Sequence, residues 1–296
     1  QFETAKDEYA DGYGCRYRFA GSGLPYCVHS PLASAETTRD VEKFAWPDTG
    51  GTSGDRIGSQ SKTGARTALE TATAAHAGGR ATAVSFPGIF HQCQYLRGFE
   101  EWLVDVRQNS ALFQAIAERV SHIHLRFALQ ALEEAGQSTD FVMTGDDFGC
   151  SAQPYMSPED FRKLIKPIYM RLIGEIKSAH PHLRFWLHSH GQIIDLIPDL
   201  IDCGVDILNP VLPLDNMDAT ILKREYGRDL CFHGGVDVEQ IVPFGSVDEV
   251  RDHVRAVIET LAPGGGYWYV VQVISPMVPA ENVVAAYEVA LGWRRG

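Results

Sequence analysis

Short apolar runs of strand length alternate with amphipathic segments of helical length from about residue 66 to the end of the chain. The strand-like runs are rich in β-branched and aromatic residues, whereas the segments between them carry apolar residues at helical spacing. This alternation is typical of a parallel sheet built from β-α-β units. The predicted strands are residues 81–86, 141–145, 183–188, 205–209, 229–233 and 267–273.

Capping residues indicate where three of the intervening helices begin or end. Ser157 and Ser246 stand at N-cap positions, because each precedes an apolar stripe and is followed three residues later by an acid. Pro158 suits the first turn of its helix. A third helix is predicted over residues 192–203, with Gly204 at its C-terminus.

A different pattern precedes this region. Residues 1–47 mix aromatic residues, glycines and short β-prone runs, which predicts β-hairpins. Residues 47–65 have almost no apolar side chains, which predicts an exposed loop. We therefore divide the chain into a lead-in segment at 1–65 and a β/α domain at 66–296.

Repeated strand-helix units fit either a closed (β/α)8 TIM barrel or an open doubly wound sheet. No G-x-G-x-x-G follows a predicted strand, and polar residues follow the carboxyl ends of several strands, where barrel enzymes assemble their active sites. We therefore expect an α/β fold of the barrel type. The polar residues in question are Asp146, Asp147, His188, His190, Asn209, His233, Asp237 and Gln272.

The two histidines at the end of the run 183–188 are the strongest chemical signal. His188 and His190 are two residues apart, so in an extended chain both imidazoles point the same way. Histidine is a common metal ligand and general acid or base, so the pair could hold a metal or move a proton. A hydrogen-bonded pair that supports the strand end is the alternative interpretation.

Charge and cysteine content exclude several classes of function. The formal net charge is -12 and the sequence pI is about 5.3, which argues against nucleic-acid and anionic-membrane partners. The six cysteines are scattered without C-x-x-C spacing, which favours reduced thiols. No leader-like or membrane-spanning segment is recognisable, so we expect a soluble, cytoplasmic protein that acts on a small molecule.

Several motifs, in their order along residues 81–296, resemble the uroporphyrinogen decarboxylase superfamily, and most closely its branch of corrinoid-dependent methyltransferases. The segment around Arg97 belongs to the same resemblance. The motifs are Thr144-Gly145-Asp146-Asp147, Leu187-His188-Ser189-His190-Gly191, Gly204-Val205-Asp206, His233-Gly234-Gly235 and Pro279-Ala280-Glu281-Asn282.

The resemblance implies a (β/α)8 barrel and a corrinoid cofactor, carried by a separate protein, as the methyl carrier. It also implies zinc, which methyltransferase members hold with a His-x-Cys pair and a later cysteine. This chain has His188 and His190 at the pair, and Val271 or Gln272 where the later cysteine would stand. Zinc also accepts imidazole and carboxylate ligands, so a site at these histidines is conceivable. Its third ligand would be Asp147, Cys150 or His233.

The beginning of the chain departs from the resemblance. Family members carry a helix and two barrel strands ahead of the matching region, so we expect a barrel that lacks its first one or two strands. Unpaired strand edges would then need a cover, which residues 1–47, a partner chain or a second copy in a homo-oligomer could supply. The arginine-rich motif with which the decarboxylases bind tetrapyrrole propionates is also missing, which disfavours that substrate.

The sequence thus predicts a methyltransferase that moves a methyl group between a small methylated substrate and a corrinoid protein. A decarboxylase of a carboxylated substrate and a non-catalytic partner subunit are the alternatives. The predicted catalytic residues are His188, His190 and Asp147. The predicted substrate-binding residues are Asp146, Tyr155, Asn209, His233, Asp237, Gln272 and Arg97.

Overall fold

The structure is a computed structural model that describes residues 8–19, 25–48, 68–272 and 278–293. Its contacts divide the chain into two compact units. The first comprises residues 1–146 and 156–183, and the second comprises residues 147–155 and 184–296. The boundary predicted at residue 65, and nearly all of the loop predicted at 47–65, lie outside the described residues.

The first unit begins with an antiparallel sheet in the order β1-β2-β3, in agreement with the hairpins predicted for residues 1–47. A parallel pair, β4 and β5, follows, with helices around it. Its strands are β1 (Glu8–Ala10), β2 (Arg16–Phe19), β3 (Pro25–His29), β4 (Ala83–Ser85) and β5 (Phe141–Gly145). Its helices are α1 (Thr38–Lys43), α2 (Ala68–Ala77), α3 (Ile89–Arg97), α4 (Phe99–Gln108), α5 (Ser110–Ala135), α6 (Pro158–Leu164) and α7 (Lys166–Ala179).

Helix α5 is the central helix of the first unit. It buries Leu112, Ile116 and Val120, which lie four residues apart and therefore share one face. The same face continues to His124 and Ala128, both fully buried. Helix α5 packs against α3, α4 and α7, and its buried stripe is part of the core of the unit.

The second unit contains four parallel strands in the order β6-β7-β8-β9. Its helix α11 packs an apolar face against α12. The strands are β6 (Arg184–His188), β7 (Ile207–Asn209), β8 (Cys231–His233) and β9 (Tyr267–Trp268). The helices are α8 (Ile197–Cys203), α9 (Ala219–Tyr226), α10 (Ile241–Phe244), α11 (Val247–Leu261) and α12 (Ala280–Gly292).

All six predicted parallel strands are confirmed, although the run 267–273 forms only a two-residue strand. The capping predictions are confirmed as well, since Ser157 and Ser246 accept hydrogen bonds from the backbone at the third helical position. The apolar stripe after Ser157 is split between two helices at Ile165, just before Pro167. The helix predicted at 192–203 begins only at Ile197, after a single 3-10 turn.

The structure also bears on membrane association. Among the described residues, no helix combines the length and the apolar character that crossing a bilayer requires.

Candidate active site

The carboxyl ends of the four strands in the second unit form a row of polar and aromatic side chains. His188, Asn209, His233 and Trp268 are the last residues of β6, β7, β8 and β9. The parallel register pairs His188 with Asn209 and His233 with Trp268. Gln272, four residues beyond β9, also reaches this row through its side chain. The structure therefore places four of the predicted residues, His188, Asn209, His233 and Gln272, side by side.

Asn209 determines which nitrogen of His188 carries the proton. The Asn209 Nδ2 group donates to the main-chain oxygen of His233 at 2.9 Å, and a carbonyl can only accept. Asn209 Oδ1 must therefore be the atom that lies 2.7 Å from His188 Nδ1. An oxygen acceptor requires Nδ1 to be protonated, so Nε2 of the neutral ring carries a lone pair.

Gln272 completes this network. Its side-chain amide and that of Asn209 exchange two hydrogen bonds, each 3.1 Å long. Gln272 Nε2 also lies 3.4 Å from His188 Nδ1, but both atoms are donors in this arrangement. The amide pair therefore holds Asn209 in the orientation that fixes the His188 ring.

His233 is kept neutral between two tryptophans. The indole Nε1 of Trp186 donates to His233 Nδ1 at 2.8 Å, so the neutral ring carries its proton on Nε2. Burial, with a smaller contribution from neighbouring His188, lowers the pKa of His233 to about 4. Trp268 stacks on His233 with ring centroids 4.0 Å apart and planes 8° from parallel. His233 thus serves as part of an uncharged aromatic wall.

Asp147 lies opposite His188. Its Oδ1 atom is 3.9 Å from His188 Nε2, the nitrogen that the network leaves unprotonated. The Asp147 side chain is 28% exposed and that of His188 is 26% exposed, so solvent and small ligands reach both. The backbone N–H of His190 donates to Asp147 Oδ1 at 2.7 Å and fixes the carboxylate. The site therefore offers a lone pair and a carboxylate oxygen side by side.

The His190 imidazole occupies a different position from that of His188. It meets the His188 ring edge to face, with centroids 4.8 Å apart. Its Nδ1 atom lies 3.7 Å from a carboxylate oxygen of Asp215, which also accepts the N–H of Gly191 at 3.0 Å. Asp215 is only 6% exposed. The sequence analysis missed this residue, because it lies in a 3-10 turn rather than at the end of a strand.

Gly191 allows the segment after β6 to pack against the loop that carries Asp147. Its φ of +92° favours glycine, and a Cβ atom there would lie 2.3 Å from the carbonyl carbon of Gly149. Cys150 accepts a hydrogen bond on its main-chain oxygen from the N–H of Gln192, which closes the same contact. The distance between Asp147 and His188 depends on this packing.

Asp146 has a structural role instead of the predicted substrate contact. It belongs to the first unit and is fully buried. Its carboxylate accepts the backbone N–H groups of Phe90 and His91, in the first turn of α3, and the hydroxyl of Tyr169. Adjacent residues at a strand end point to opposite sides, so Asp146 anchors a helix while Asp147 enters the site.

Arg97 is likewise committed to structure within the first unit. Its guanidinium pairs with Asp105, with Nε 2.6 Å from the carboxylate, and donates to the main-chain oxygens of Leu32 and Ala33. Arg97 is only 8% exposed. The guanidinium is therefore engaged in structural contacts and not in the predicted substrate contact.

Asp237 and Tyr155 complete the set of predicted residues. Asp237 Oδ1 accepts the backbone N–H groups of Glu239 and Gln240, so its carboxylate caps a turn instead of joining the polar row. Tyr155 lies on the same loop as Asp147. Burial, followed by the charges of Asp147 and Cys150, raises the pKa of its hydroxyl. Tyr155 therefore stays neutral beside the site.

The side chains present do not match a three-ligand zinc site. Within the described part of the chain, no three His, Cys, Asp or Glu side chains are arranged to hold a metal ion. Cys150 is exposed, and its thiol points at the main-chain oxygen of Gln153. A structural or catalytic zinc needs at least three protein ligands. Zinc thus stays a prediction, and no step below is assigned to it.

The loops at this end of the second unit carry no positive side chain of the lysine or arginine type. This holds for residues 147–155, 189–196, 210–218, 234–246 and 269–272, all of which the structure describes. The same segments contain six carboxylates. Arginines of the second unit that form ion pairs lie elsewhere, at the start of β6 and on α9 and α11.

Comparisons with known proteins identify a relative in sequence and a neighbour in structure. A curated uroporphyrinogen decarboxylase from Trichodesmium erythraeum is 25% identical over 138 residues, which are 46% of this chain and 36% of that protein, so the chain spans about a third of that relative. A solved methyltransferase from Methanosarcina mazei superposes with a TM-score of 0.68 at 18% identity, over 94% of this chain and 75% of the other.

The family assignment covers more of the chain than the motifs did. The family model for uroporphyrinogen decarboxylase matches residues 9–292, whereas the motif resemblance began at residue 81. Together with the parallel strands and the structural neighbour, this match establishes an α/β fold of the TIM-barrel type. The chain therefore belongs to the uroporphyrinogen decarboxylase family.

Proposed function

We propose that this protein is a methyltransferase that moves a methyl group between a small methylated substrate and a corrinoid protein. The observation that carries the proposal is the pairing of His188 Nε2 with the Asp147 carboxylate, 3.9 Å apart at the exposed end of the strands. Such a pair can hold the heteroatom that bears the methyl group and control the proton on it.

The proton position follows from the network around His188. Because Asn209 holds the proton on Nδ1, only Nε2 can accept or deliver a proton at the substrate. When Nε2 is protonated, the nearby carboxylate stabilises the imidazolium. His190 contributes through its backbone N–H, which fixes Asp147, and through the edge of its ring.

The charge of the site favours methyl transfer over decarboxylation. A carboxylated substrate needs a cationic partner, and arginine or lysine is absent from the described strand-end loops of the second unit. The same loops place Asp147 and Asp215 near His188 and His190. Repulsion between these acids and a substrate carboxylate would weaken binding.

The corrinoid enters this scheme as a second substrate, on a protein of its own. When bound, it supplies the nucleophile or the methyl donor. The chain's own residues orient the small substrate through His188 and Asp147, at the end of the unit where the Trp268 ring is partly exposed.

Two product assays on the same purified protein test the proposal. In the first, reduced cobalamin and a panel of methyl ethers and methylamines are incubated with the protein, and methylcobalamin formation is followed by absorbance. In the second, carbon dioxide release from uroporphyrinogen is measured. We expect the first assay to respond, and the variant His188→Gln to lower its rate at least about 100-fold, since it removes the acid-base group.

The matched control is His180→Gln, which removes an imidazole outside the second unit. We expect it to retain wild-type activity. Carbon dioxide release without methylcobalamin would instead assign the chain to the decarboxylases and overturn the proposal.

A further inference from the structure

The distance between His188 Nε2 and Asp147 Oδ1 suits a ligand that donates hydrogen bonds. The atoms are 3.9 Å apart, which is longer than a direct hydrogen bond. A single nitrogen can lie about 2.9 Å from both at once. Both atoms accept when His188 is neutral, because its proton is on Nδ1. An ammonium ion with two N–H groups can donate to both atoms and one with a single N–H to either of them, whereas an ether oxygen can donate to neither.

The aromatic wall beside this pair suits a positive charge. Trp268 stacks on His233 while remaining 37% exposed, so part of this ring is open to a ligand, whereas Trp186 is only 8% exposed and supports His188 and His233. Tryptophan faces attract cations within about 6 Å of the ring centroid. His233 adds no opposing charge near neutral pH, because burial lowers its pKa to about 4.

The charges of the loops around the pair also favour a positively charged ligand. The described strand-end loops of the second unit contain carboxylates and no lysine or arginine. A cation entering this end of the unit meets only acids and neutral groups, including Asp147 and the nearly buried Asp215. An anion meets repulsion and finds no cationic partner.

We propose that the small substrate of this site is a methylated ammonium ion, whose nitrogen lies between His188 and Asp147. This assignment rests on the methyl-transfer function and names its substrate class. Neutral methyl ethers and carboxylated compounds are then poor ligands.

The chemistry of the transfer balances without a supplied proton. The carbon-nitrogen bond breaks, and its electron pair remains on nitrogen, which becomes a neutral amine. A reduced corrinoid provides the electron pair for the new bond to carbon. An N–H proton of the ammonium ion stays on nitrogen and continues to donate to His188 Nε2 or Asp147. A methyl ether, by contrast, needs an acid to protonate the departing oxygen.

Three probes of similar size and different charge test this assignment. Trimethylammonium, tert-butanol and pivalate are titrated separately into the intact protein at pH 7.5, and binding is followed by calorimetry and tryptophan fluorescence. We expect trimethylammonium to bind at least 10-fold more tightly than tert-butanol, and pivalate to bind more weakly than either. Tetramethylammonium, which has no N–H, should bind more weakly than trimethylammonium.

Two variants separate the local site from the overall charge. Asp147→Asn should weaken trimethylammonium binding at least 10-fold. Asp195→Asn removes the same charge from an exposed residue in a neighbouring turn and should change the affinity less than twofold. If Asp147→Asn does not fold, the comparison among the probes on the wild-type protein still decides the question.

The outcomes distinguish this inference from the function it rests on. Equal binding of trimethylammonium and tert-butanol, or tighter binding of pivalate, overturns the ammonium assignment. Methylcobalamin formation from a methyl ether but not from trimethylammonium also overturns it, while methyl transfer itself stands. Tight trimethylammonium binding with carbon dioxide release as the only reaction overturns the methyl-transfer function instead.

Discussion

The substitution Asn209→Ala tests the network that positions His188. It removes four hydrogen bonds: one with His188, one with the His233 carbonyl and two with Gln272. Each such bond contributes about 1 kcal/mol, and water entering the space recovers part of the loss. We therefore expect the free energy of unfolding to fall by about 2 to 4 kcal/mol.

The same substitution should change the tautomer of His188. In the wild type, the Nδ1-protonated form of His188 gains a hydrogen bond to Asn209, whereas the Nε2-protonated form would set two lone pairs against each other. The first form is therefore favoured by about 1.5 kcal/mol or more, which is a population ratio of at least about tenfold. Long-range proton-nitrogen NMR on protein with labelled histidine, at a pH where the ring is neutral, reports which nitrogen is protonated. Asn209→Ala should give a mixture, whereas Asn209→Asp keeps an acceptor and the wild-type tautomer. A wild-type His188 protonated on Nε2 would refute the reasoning.

Three further predictions concern packing and pH. Gly191→Ala should cost about 2 to 4 kcal/mol of stability, since φ is +92° and the new Cβ meets the Gly149 backbone; wild-type stability in urea unfolding would contradict the packing described for this loop. Arg97→Ala leaves the Asp105 carboxylate buried without its partner and should lower the free energy of unfolding by about 3 to 5 kcal/mol without changing ligand affinity. A loss of affinity at unchanged stability would instead support the predicted substrate contact of Arg97. Burial lowers the pKa of His124 to about 3, so its contribution to stability is complete above pH 6.5 and falls as the unfolded chain takes up a proton below that. On lowering the pH from 8 to 5, the free energy of unfolding of the wild type should therefore fall by about 2 kcal/mol more than that of His124→Phe. Equal falls in denaturant titrations would argue against a neutral, buried His124.

Much of the fold followed from local sequence signals. The strands were recognisable because buried parallel strands are continuous apolar runs, and Ser157 and Ser246 were recognisable because capping depends on neighbouring residues. The split helix at Ile165 was missed, because the apolar stripe continues across Pro167 and hides the break.

The site was predicted only in part, because the sequence does not show which way a side chain points or which group it contacts. Position at a strand end identified His188, Asn209 and His233, but it could not tell that adjacent Asp146 and Asp147 serve different units. The side chain of Arg97 is occupied by a buried acid eight residues away, which the motif itself does not reveal. Asp215 carried no signal, because its contact with Gly191 joins two loops that are distant in sequence.

The central claim, that His188 Nε2 and Asp147 form the reacting end of a methyltransferase site, is tested most directly by one measurement. Trimethylammonium with isotopically labelled methyl groups is incubated with reduced cobalamin and the wild-type, His188→Gln or His190→Gln protein, and label in methylcobalamin is counted. The account predicts transfer by the wild type, a loss of at least about 10-fold in His188→Gln, which replaces the acceptor that holds the ammonium N–H, and a much smaller loss in His190→Gln, whose backbone contact to Asp147 remains. Undiminished transfer by His188→Gln would contradict it.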